Sequence, residues 1–219
     1  MTAFRLGTML ASLLLPASQL VAQEVVARAV LAAPRSSVRV GQLTERVAGL
    51  WGGVVVDFHM GPVGLTASGA RGRLTPAAQQ PVLERAAGEM TATGRYDVTP
   101  WLGMEAGYAA RAFRSAAGRE RWDIVGVGVN VAHRLGTDGS RAYARVSYLP
   151  LVKVSGEERP RFAVGTEVGI ALVTNRSPIT FAFSYRVERF RFEQGAARSD
   201  QFEALTLSMG ARVLRFNGR

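Results

Sequence analysis

The chain has 219 residues, a formal net charge of +10 and no cysteine. The lack of cysteine excludes disulfide frameworks, thiolate metal sites, thiol nucleophiles and a lipid-anchored N-terminal cysteine. The length fits one domain, and Lys153 is the only lysine among 27 basic residues, so arginine carries the positive charge. A guanidinium fork binds phosphate well. However, the arginines are spread along the chain rather than gathered in one stripe with stacking aromatics, so nucleic acid is not an expected partner.

The N-terminus predicts a secretory signal peptide over residues 1–23. Arg5 supplies a short positive start, and an apolar run from Leu6 to Leu15 follows it. This run is too short for a membrane-spanning helix, which needs about 20 apolar residues, and the layout is that of a cleaved leader. Ala22 is the first candidate for the residue before the cut, and Ala27 is the second.

After the leader, residues 24–36 are predicted to be a periplasmic lead-in or short helix. Apolar and polar residues then alternate with period two in one segment after another, which is typical of strands with one apolar face. The clearest segment is 161–187, where two long strands flank a turn. The predicted strands are 47–59, 63–73, 85–98, 102–112, 122–132, 143–148, 162–172, 179–187 and 202–216, with 37–46 as a natural tenth.

Strand length and connection length together predict the architecture. Several runs exceed the five or six residues usual in soluble sheets, and a tilted strand of about 9 to 11 residues crosses a bilayer. Short connections near 60, 99, 137 and 176 alternate with longer, charged ones near 78, 117, 157 and 197. We therefore predict an all-β fold over residues 37–219, an up-and-down antiparallel transmembrane β-barrel. Ten strands are favoured, or eight if 85–98 stays outside the wall.

The composition of the two strand faces predicts which of them meets lipid. The polar face holds mainly Gly, Ala, Ser and Thr with sparse charges, which suits a crowded lumen better than a water-exposed surface. A soluble lipocalin-like barrel would instead turn its apolar residues inward. The apolar face is thus expected to contact lipid. Aromatic residues near strand ends are expected to form interfacial girdles; they are Tyr96, Trp101, Trp122 and Phe202.

With the polar face inside, charges of both signs should meet in the lumen and pair, because a narrow interior does not hydrate them well. The predicted lumen charges are Glu89, Arg95, Glu105, Arg111, Arg145, Glu167, Arg186 and Arg212. A lumen plugged by ion pairs is one interpretation of this set. The alternative is a small pore that prefers anions.

Catalytic and metal-binding motifs are missing from the sequence. His59 and His133 are the only histidines, they fall on different strands, and neither has a metal-ligand spacing. Both approach the predicted short-turn side, whereas a barrel enzyme would need histidine beside serine or carboxylates at the outer rim. No enzymatic activity, metal or cofactor is therefore expected.

The signal peptide, the alternating strands and the final segment LTLSMGARVLRF resemble small bacterial outer-membrane barrels of the OmpA-like or OmpW-like kind. The resemblance implies an assembly signal in the last strand, carried here by Gly210, Val213 and Phe216. Phe216 is out of phase with the residues from 205 to 213, so a bulge is expected there.

The resemblance also implies an outer-membrane location and recognition by the barrel-assembly machinery. Lipid and lipopolysaccharide are then the expected partners, and a monomer is expected. The expected function is a non-enzymatic barrel that presents its outer loops for surface interaction or envelope integrity.

Overall fold

Strands make up nearly all of the described residues, because alternation continues with little interruption from one segment to the next. The computed structural model describes residues 23–76, 83–116, 118–136, 139–156, 159–173, 177–193 and 198–216, and no helix occurs in these ranges. The strands are β1 (Gln23–Val40), β2 (Leu43–Met60), β3 (Val63–Pro76), β4 (Arg85–Asp97), β5 (Leu102–Ser115), β6 (Gly118–Arg134), β7 (Arg141–Val154), β8 (Phe162–Val173), β9 (Ile179–Arg191) and β10 (Arg198–Phe216).

Each strand pairs with its neighbours in sequence, and β10 returns to pair with β1, so the sheet is a closed barrel. All the pairings are antiparallel, and the closing seam runs from Gln23↔Phe216 to Val40↔Arg198. A ten-stranded up-and-down barrel is therefore confirmed, and the eight-stranded alternative is wrong. The expected bulge is present, because Val26 pairs with Arg212 and Val25 with Leu214, which leaves Val213 of β10 unmatched.

The start of the barrel differs from the prediction. Residues 24–36 are not a lead-in or helix but most of β1, and residues 37–46 are not one strand but a hairpin turning at Gly41. Gly41 has a φ of 60°, a conformation that favours glycine in tight hairpins. The pattern concealed β1 because Val and Ala occupy both of its faces. In addition, Pro34 lies where the pairing between β1 and β2 is interrupted. The predicted signal peptide lies almost wholly outside the described residues.

The barrel has two unlike ends. The turn end holds both chain ends of the barrel and the connections at 61–62, 98–101, 135–140 and 174–178. The loop end holds the connections at 41–42, 77–84, 116–117, 155–161 and 192–197. The two longest connections, 77–84 and 155–161, lie at the loop end, as predicted. The connection at 135–140, predicted to be short, is as long as the one at 192–197. The loop expected near 117 is only a two-residue turn because β6 already begins at Gly118.

The two faces of the wall follow the alternation, and the apolar face is confirmed as the outer one. Val54, Val146, Val168 and Leu207 are each more than half exposed on the outside. Tyr96 and Trp101 are also exposed near the turn end, as a girdle requires. The girdle prediction is wrong for Trp122 and Phe202, because both point inward and are buried. None of the described segments forms a helix long and apolar enough to span a membrane.

Candidate functional site

The interior of the barrel is divided into two unlike halves. Its loop-end half is filled by a cluster of buried apolar side chains that includes Trp51, Leu74, Phe113, Trp122, Phe190, Phe192 and Phe202. We call this cluster the aromatic layer. The Trp122 ring packs edge-on against Phe190, with centroids 4.8 Å apart, and the Trp51 and Phe202 rings lie 5.8 Å apart. Such packing leaves little room for water.

Four charged side chains form a network against the aromatic layer. Arg111 donates from Nε to Glu89 at 2.7 Å and from a terminal nitrogen to Glu188, also at 2.7 Å. Arg186 donates to the other oxygen of Glu89 at 2.6 Å. The Arg111 guanidinium also stacks on the Phe202 ring, 3.6 Å from its centroid. We call these four charged groups the buried quartet, since two cations balance two carboxylates within it.

A second network lies in the turn-end half of the interior. Arg145 is 2.8 Å from Glu105 and 3.4 Å from Glu167, so one guanidinium serves two carboxylates. Tyr143 donates its hydroxyl hydrogen to Glu167 at 2.9 Å. Ser147 lies 3.4 Å from Glu105. These contacts join β5, β7 and β8 across the lumen.

Smaller ion pairs line the lumen close to the turn end. Arg28 bonds to one oxygen of Asp57, and Thr66 donates to the other at 2.8 Å. Arg95 lies 3.0 Å from Asp97. Another pair joins Arg212 to Glu24 and so links β10 to β1 next to the bulge. Each carboxylate here already has its own arginine.

The structure places all eight predicted lumen charges on inward-facing positions. Six of them fall into the two networks, and Arg95 and Arg212 form separate pairs. The prediction omitted several other inward charges, among them Arg28, Asp57, Asp97, Arg141 and Glu188. Glu188 had a usable signal, because it lies two residues after Arg186 and therefore on the same face. Arg28 was omitted because β1 itself was not predicted. Of the assembly-signal residues, Gly210 packs so closely on β1 that a Cβ would lie 1.9 Å from the Ala27 oxygen.

A cavity of about 330 Å³ occupies the turn-end half of the lumen. Trp51, Ile124 and Leu149 close it on the loop side. Toward the turn end it reaches His59 and Arg141, which lie next to the ends of β2 and β7. Ser and Thr hydroxyl groups from several strands line its wall. The lumen is thus a blind pocket beneath a packed layer.

The outer surface near the loop end carries a belt of exposed cations. Its members are Arg35, Arg39, Arg46, Arg71, Arg73, Arg114, Arg119, Arg121, Lys153, Arg189 and Arg191. The outward strand positions at this level hold two carboxylates, Asp123 and Glu203. Asp123 pairs with Arg121 at 3.0 Å. Where side chains are described in the turn-end half, the outward positions hold no Asp, Glu, Lys or Arg. The cationic belt therefore marks one end of the barrel only.

The two histidines do not form a catalytic group. His59 faces the cavity, where its ring packs beside Gly64 and Arg95. His133 is exposed on β6 close to the turn end. Within the described segments, no group of three or more His, Asp or Glu residues is arranged to hold a metal ion.

No protein-family model and no curated protein sequence matches the chain. Solved structures do match it. The outer-membrane protease OmpT from Escherichia coli aligns with a TM-score of 0.61 and 12% identity, covering 86% of this chain and 96% of that one. Neisserial surface protein A aligns with a TM-score of 0.39 and 9% identity, covering 85% of this chain and 96% of that one. The translocator domain of the autotransporter NalP from Neisseria meningitidis aligns with a TM-score of 0.46 and 12% identity, covering 86% of this chain and 88% of that one. At such identities, the likeness concerns the fold alone.

Proposed function

We propose that this chain, which has the fold of the outer-membrane β-barrel proteins, is a sealed and non-enzymatic barrel that supports envelope integrity by binding lipopolysaccharide. The observation that carries the proposal is the packing of the loop-end half of the lumen. Aromatic side chains and the buried quartet fill the space through which a solute would have to pass.

The buried quartet explains why the barrel should not conduct. The Arg111 side chain is 2% exposed and the Glu89 side chain is 8% exposed, so a continuous chain of water molecules does not fit between them. An ion could cross only by separating these charges, and breaking a buried ion pair costs about 3 to 5 kcal/mol. The Trp122, Phe190 and Phe192 rings would have to move as well. A plugged lumen accounts for these contacts better than the alternative of an anion-preferring pore.

The cationic belt supports lipopolysaccharide as the partner. It encircles the barrel at the loop end, just above the apolar band that contacts acyl chains. Guanidinium groups bind phosphate in bidentate fashion with two parallel hydrogen bonds. The phosphates of lipopolysaccharide lie at this level of the outer leaflet if the loop end faces outward. By binding several lipid molecules around one rigid barrel, the belt would hold them together in the outer leaflet. This is how the protein would support envelope integrity.

The route to the membrane completes the proposal. The predicted signal peptide over residues 1–23 directs secretion and is cleaved after Ala22, and Gly210, Val213 and Phe216 supply the signal that the barrel-assembly machinery recognises. We propose that the protein then resides in the outer membrane as a monomer; closure of the barrel within one chain leaves no strand edge to pair with a second copy. The remaining loop-end segments are free to meet surface partners.

Planar-bilayer recording tests the sealed lumen. The purified protein, folded in detergent and shown by its heat-modifiable gel migration to be native, should give no conductance steps at any voltage. A trimeric porin reconstituted in parallel controls for successful insertion. Reproducible steps from the native protein, and anion-selective steps above all, would establish the pore and remove the plugged-lumen proposal.

Lipid binding tests the belt independently. A variant with Arg71, Arg73, Arg189 and Arg191 all changed to Gln should bind lipopolysaccharide about tenfold more weakly or worse, and native binding should weaken with added salt. The same four changes to Lys keep the charge and lose the bidentate fork, so intermediate binding is expected. Dephosphorylated lipopolysaccharide is the matched ligand control. Equal affinity of the native and Gln variants, or of the two lipid forms, would contradict the proposal.

A further inference from the structure

The cavity contains an arginine that the ion-pair networks leave out. Arg141 is the first residue of β7, faces inward and lines the cavity. Among the described residues it forms no ion pair, although every other arginine of the cavity wall does. An arginine in a partly enclosed space without a direct ion-pair partner is an unfavourable arrangement, unless an anion joins it.

The carboxylates near Arg141 are already occupied. Asp57 and Asp97 are the acidic groups that interact with it electrostatically. One oxygen of Asp57 accepts from Arg28 and the other from Thr66. Asp97 is held by Arg95, whose Nε and terminal nitrogen lie 3.0 and 3.2 Å from its two oxygens. The bonds that the structure gives these two aspartates thus go to Arg28, Thr66 and Arg95, and none goes to Arg141.

Charge counting at the cavity mouth gives a positive balance. Three arginines (Arg28, Arg95 and Arg141) face two aspartates (Asp57 and Asp97) at the mouth, a local net charge of +1 with the aspartates ionised. Deeper in the same cavity Arg145 faces two carboxylates, so the charges of the cavity wall as a whole balance. Arg141 and Arg95 both lie close enough to His59 to interact with it electrostatically. A ligand anion entering here would meet a local excess of positive charge.

The rest of the pocket indicates what is attached to that anion. Hydroxyl groups of Thr93, Ser184 and Thr206 line the wall from three strands. Serine and threonine hydroxyls both donate and accept hydrogen bonds, so they suit a ligand that is itself hydroxylated. The volume of about 330 Å³ lies at the lower end of the range for small-molecule sites. The aromatic layer ends the pocket, so a ligand can enter and leave only by the turn end.

We propose that the turn-end half of the lumen is a binding site for a small hydroxylated oxyanion, a sugar phosphate or sugar acid, with Arg141 as its anchor. The anion lies at the mouth on Arg141, and the hydroxylated body extends toward the blind end. With the loop end outward, this site opens to the periplasm. Binding requires no passage through the barrel, so it is compatible with a silent lumen.

The test uses the full-length protein in detergent micelles and isothermal titration with glucose 6-phosphate, glucuronate and glucose as probes. The phosphate or the acid should bind with one site per chain, and uncharged glucose should bind about tenfold more weakly or not at all, because it lacks the charge-assisted contact. Trp51, which lines the blind end, offers a fluorescence readout of the same event. A preference between the phosphate and the acid identifies the oxyanion.

Three variants assign the site. Arg141→Gln should weaken binding about tenfold or more, and Arg141→Lys should retain part of it. Ala182→Phe fills part of the cavity from β9 without removing a member of any ion pair, and it should abolish binding while gel migration remains native. Arg134→Gln is the matched control, since Arg134 pairs with Arg141 in register but does not line the cavity. The proposal is overturned if neither charged probe binds at millimolar concentration, if Arg134→Gln weakens binding as much as Arg141→Gln, or if a natively folded Ala182→Phe still binds.

Discussion

Replacing Arg111 by Met removes the central cation of the buried quartet while keeping most of the side-chain volume. The native guanidinium contacts Glu89 and Glu188 and stacks on Phe202. Without it, Arg186 alone faces two buried carboxylates. Removing one partner of a buried pair costs about 3 to 5 kcal/mol, because the remaining charge lacks compensation. Lost stacking on the ring adds about 0.5 to 2 kcal/mol. The sum is large beside a total stability of about 5 to 15 kcal/mol.

A second substitution separates these two contributions. Changing Glu188 to Gln in the Arg111→Met background leaves one cation, Arg186, beside one carboxylate, Glu89, at 2.6 Å. Charge balance within the quartet is thereby restored. We therefore expect the double variant to lose less free energy of unfolding than the sum of the losses of the two single variants. The difference should be about 1 to 3 kcal/mol. The stacking on Phe202 is not recovered.

The assay is urea unfolding of the protein in lipid vesicles, followed by tryptophan fluorescence and checked by gel migration. Arg73→Met is the matched control, because the Arg73 side chain is 79% exposed and its partner Glu84 is 50% exposed; such surface pairs contribute at most about 1 kcal/mol. If Arg111→Met proves no more destabilising than Arg73→Met, the buried quartet is not an important source of stability. If the double variant loses the full sum of the single losses, charge balance is not the cause.

Three further results are expected. Gly210→Ala should prevent the closing seam from forming and abolish heat-modifiable migration, because the added Cβ would collide with a backbone oxygen of β1. Gly69→Ala is the control and should fold normally, because nothing lies within 4 Å of its added Cβ. Asp57→Asn should lower the free energy of unfolding by about 3 kcal/mol, since its arginine partner stays inside the lumen without a counter-charge; an unchanged urea midpoint would contradict this. Intact-mass analysis of the secreted protein should show cleavage after Ala22, because cleavage after Ala27 would remove the first five residues of β1.

The fold was predictable wherever one strand face is clearly apolar and the other is small or polar. Strands β8 and β9 show this pattern, and their predicted bounds agree with the structure to within a few residues. The first strand was not predictable in this way, because Val and Ala occupy both of its faces and Pro34 interrupts the pattern. Because β1 was missed, the first strand was predicted at residues 37–46, which in fact form the β1–β2 hairpin.

The lumen was predictable in direction but not in detail. Alternation places Glu89 and Arg186 on the inside, yet it does not say that they meet across the barrel, since β4 and β9 are not neighbours in the sheet. The aromatic layer was not predicted, because the position of Trp122 and Phe202 near strand ends is typical of an outer girdle. Their phase was the usable signal, because Trp122 is out of phase with Val125 and Phe202 is out of phase with Leu205, and both of those residues are exposed on the outside. The sequence did not single out Arg141, because its lack of an ion-pair partner depends on how Arg28, Thr66 and Arg95 bind the two nearby aspartates.

The seam between β1 and β10 has a consequence for how the polypeptide matures. The first strand to be synthesised, β1, pairs with the last one, β10. The eighteen paired positions of that seam therefore form only after synthesis is complete. A product cut short by a nonsense codon would keep two long unpaired borders and could recruit a second incomplete copy through them. The exposed edges of β1 and of the last completed strand are thus the feature by which an unfinished chain differs from a finished barrel.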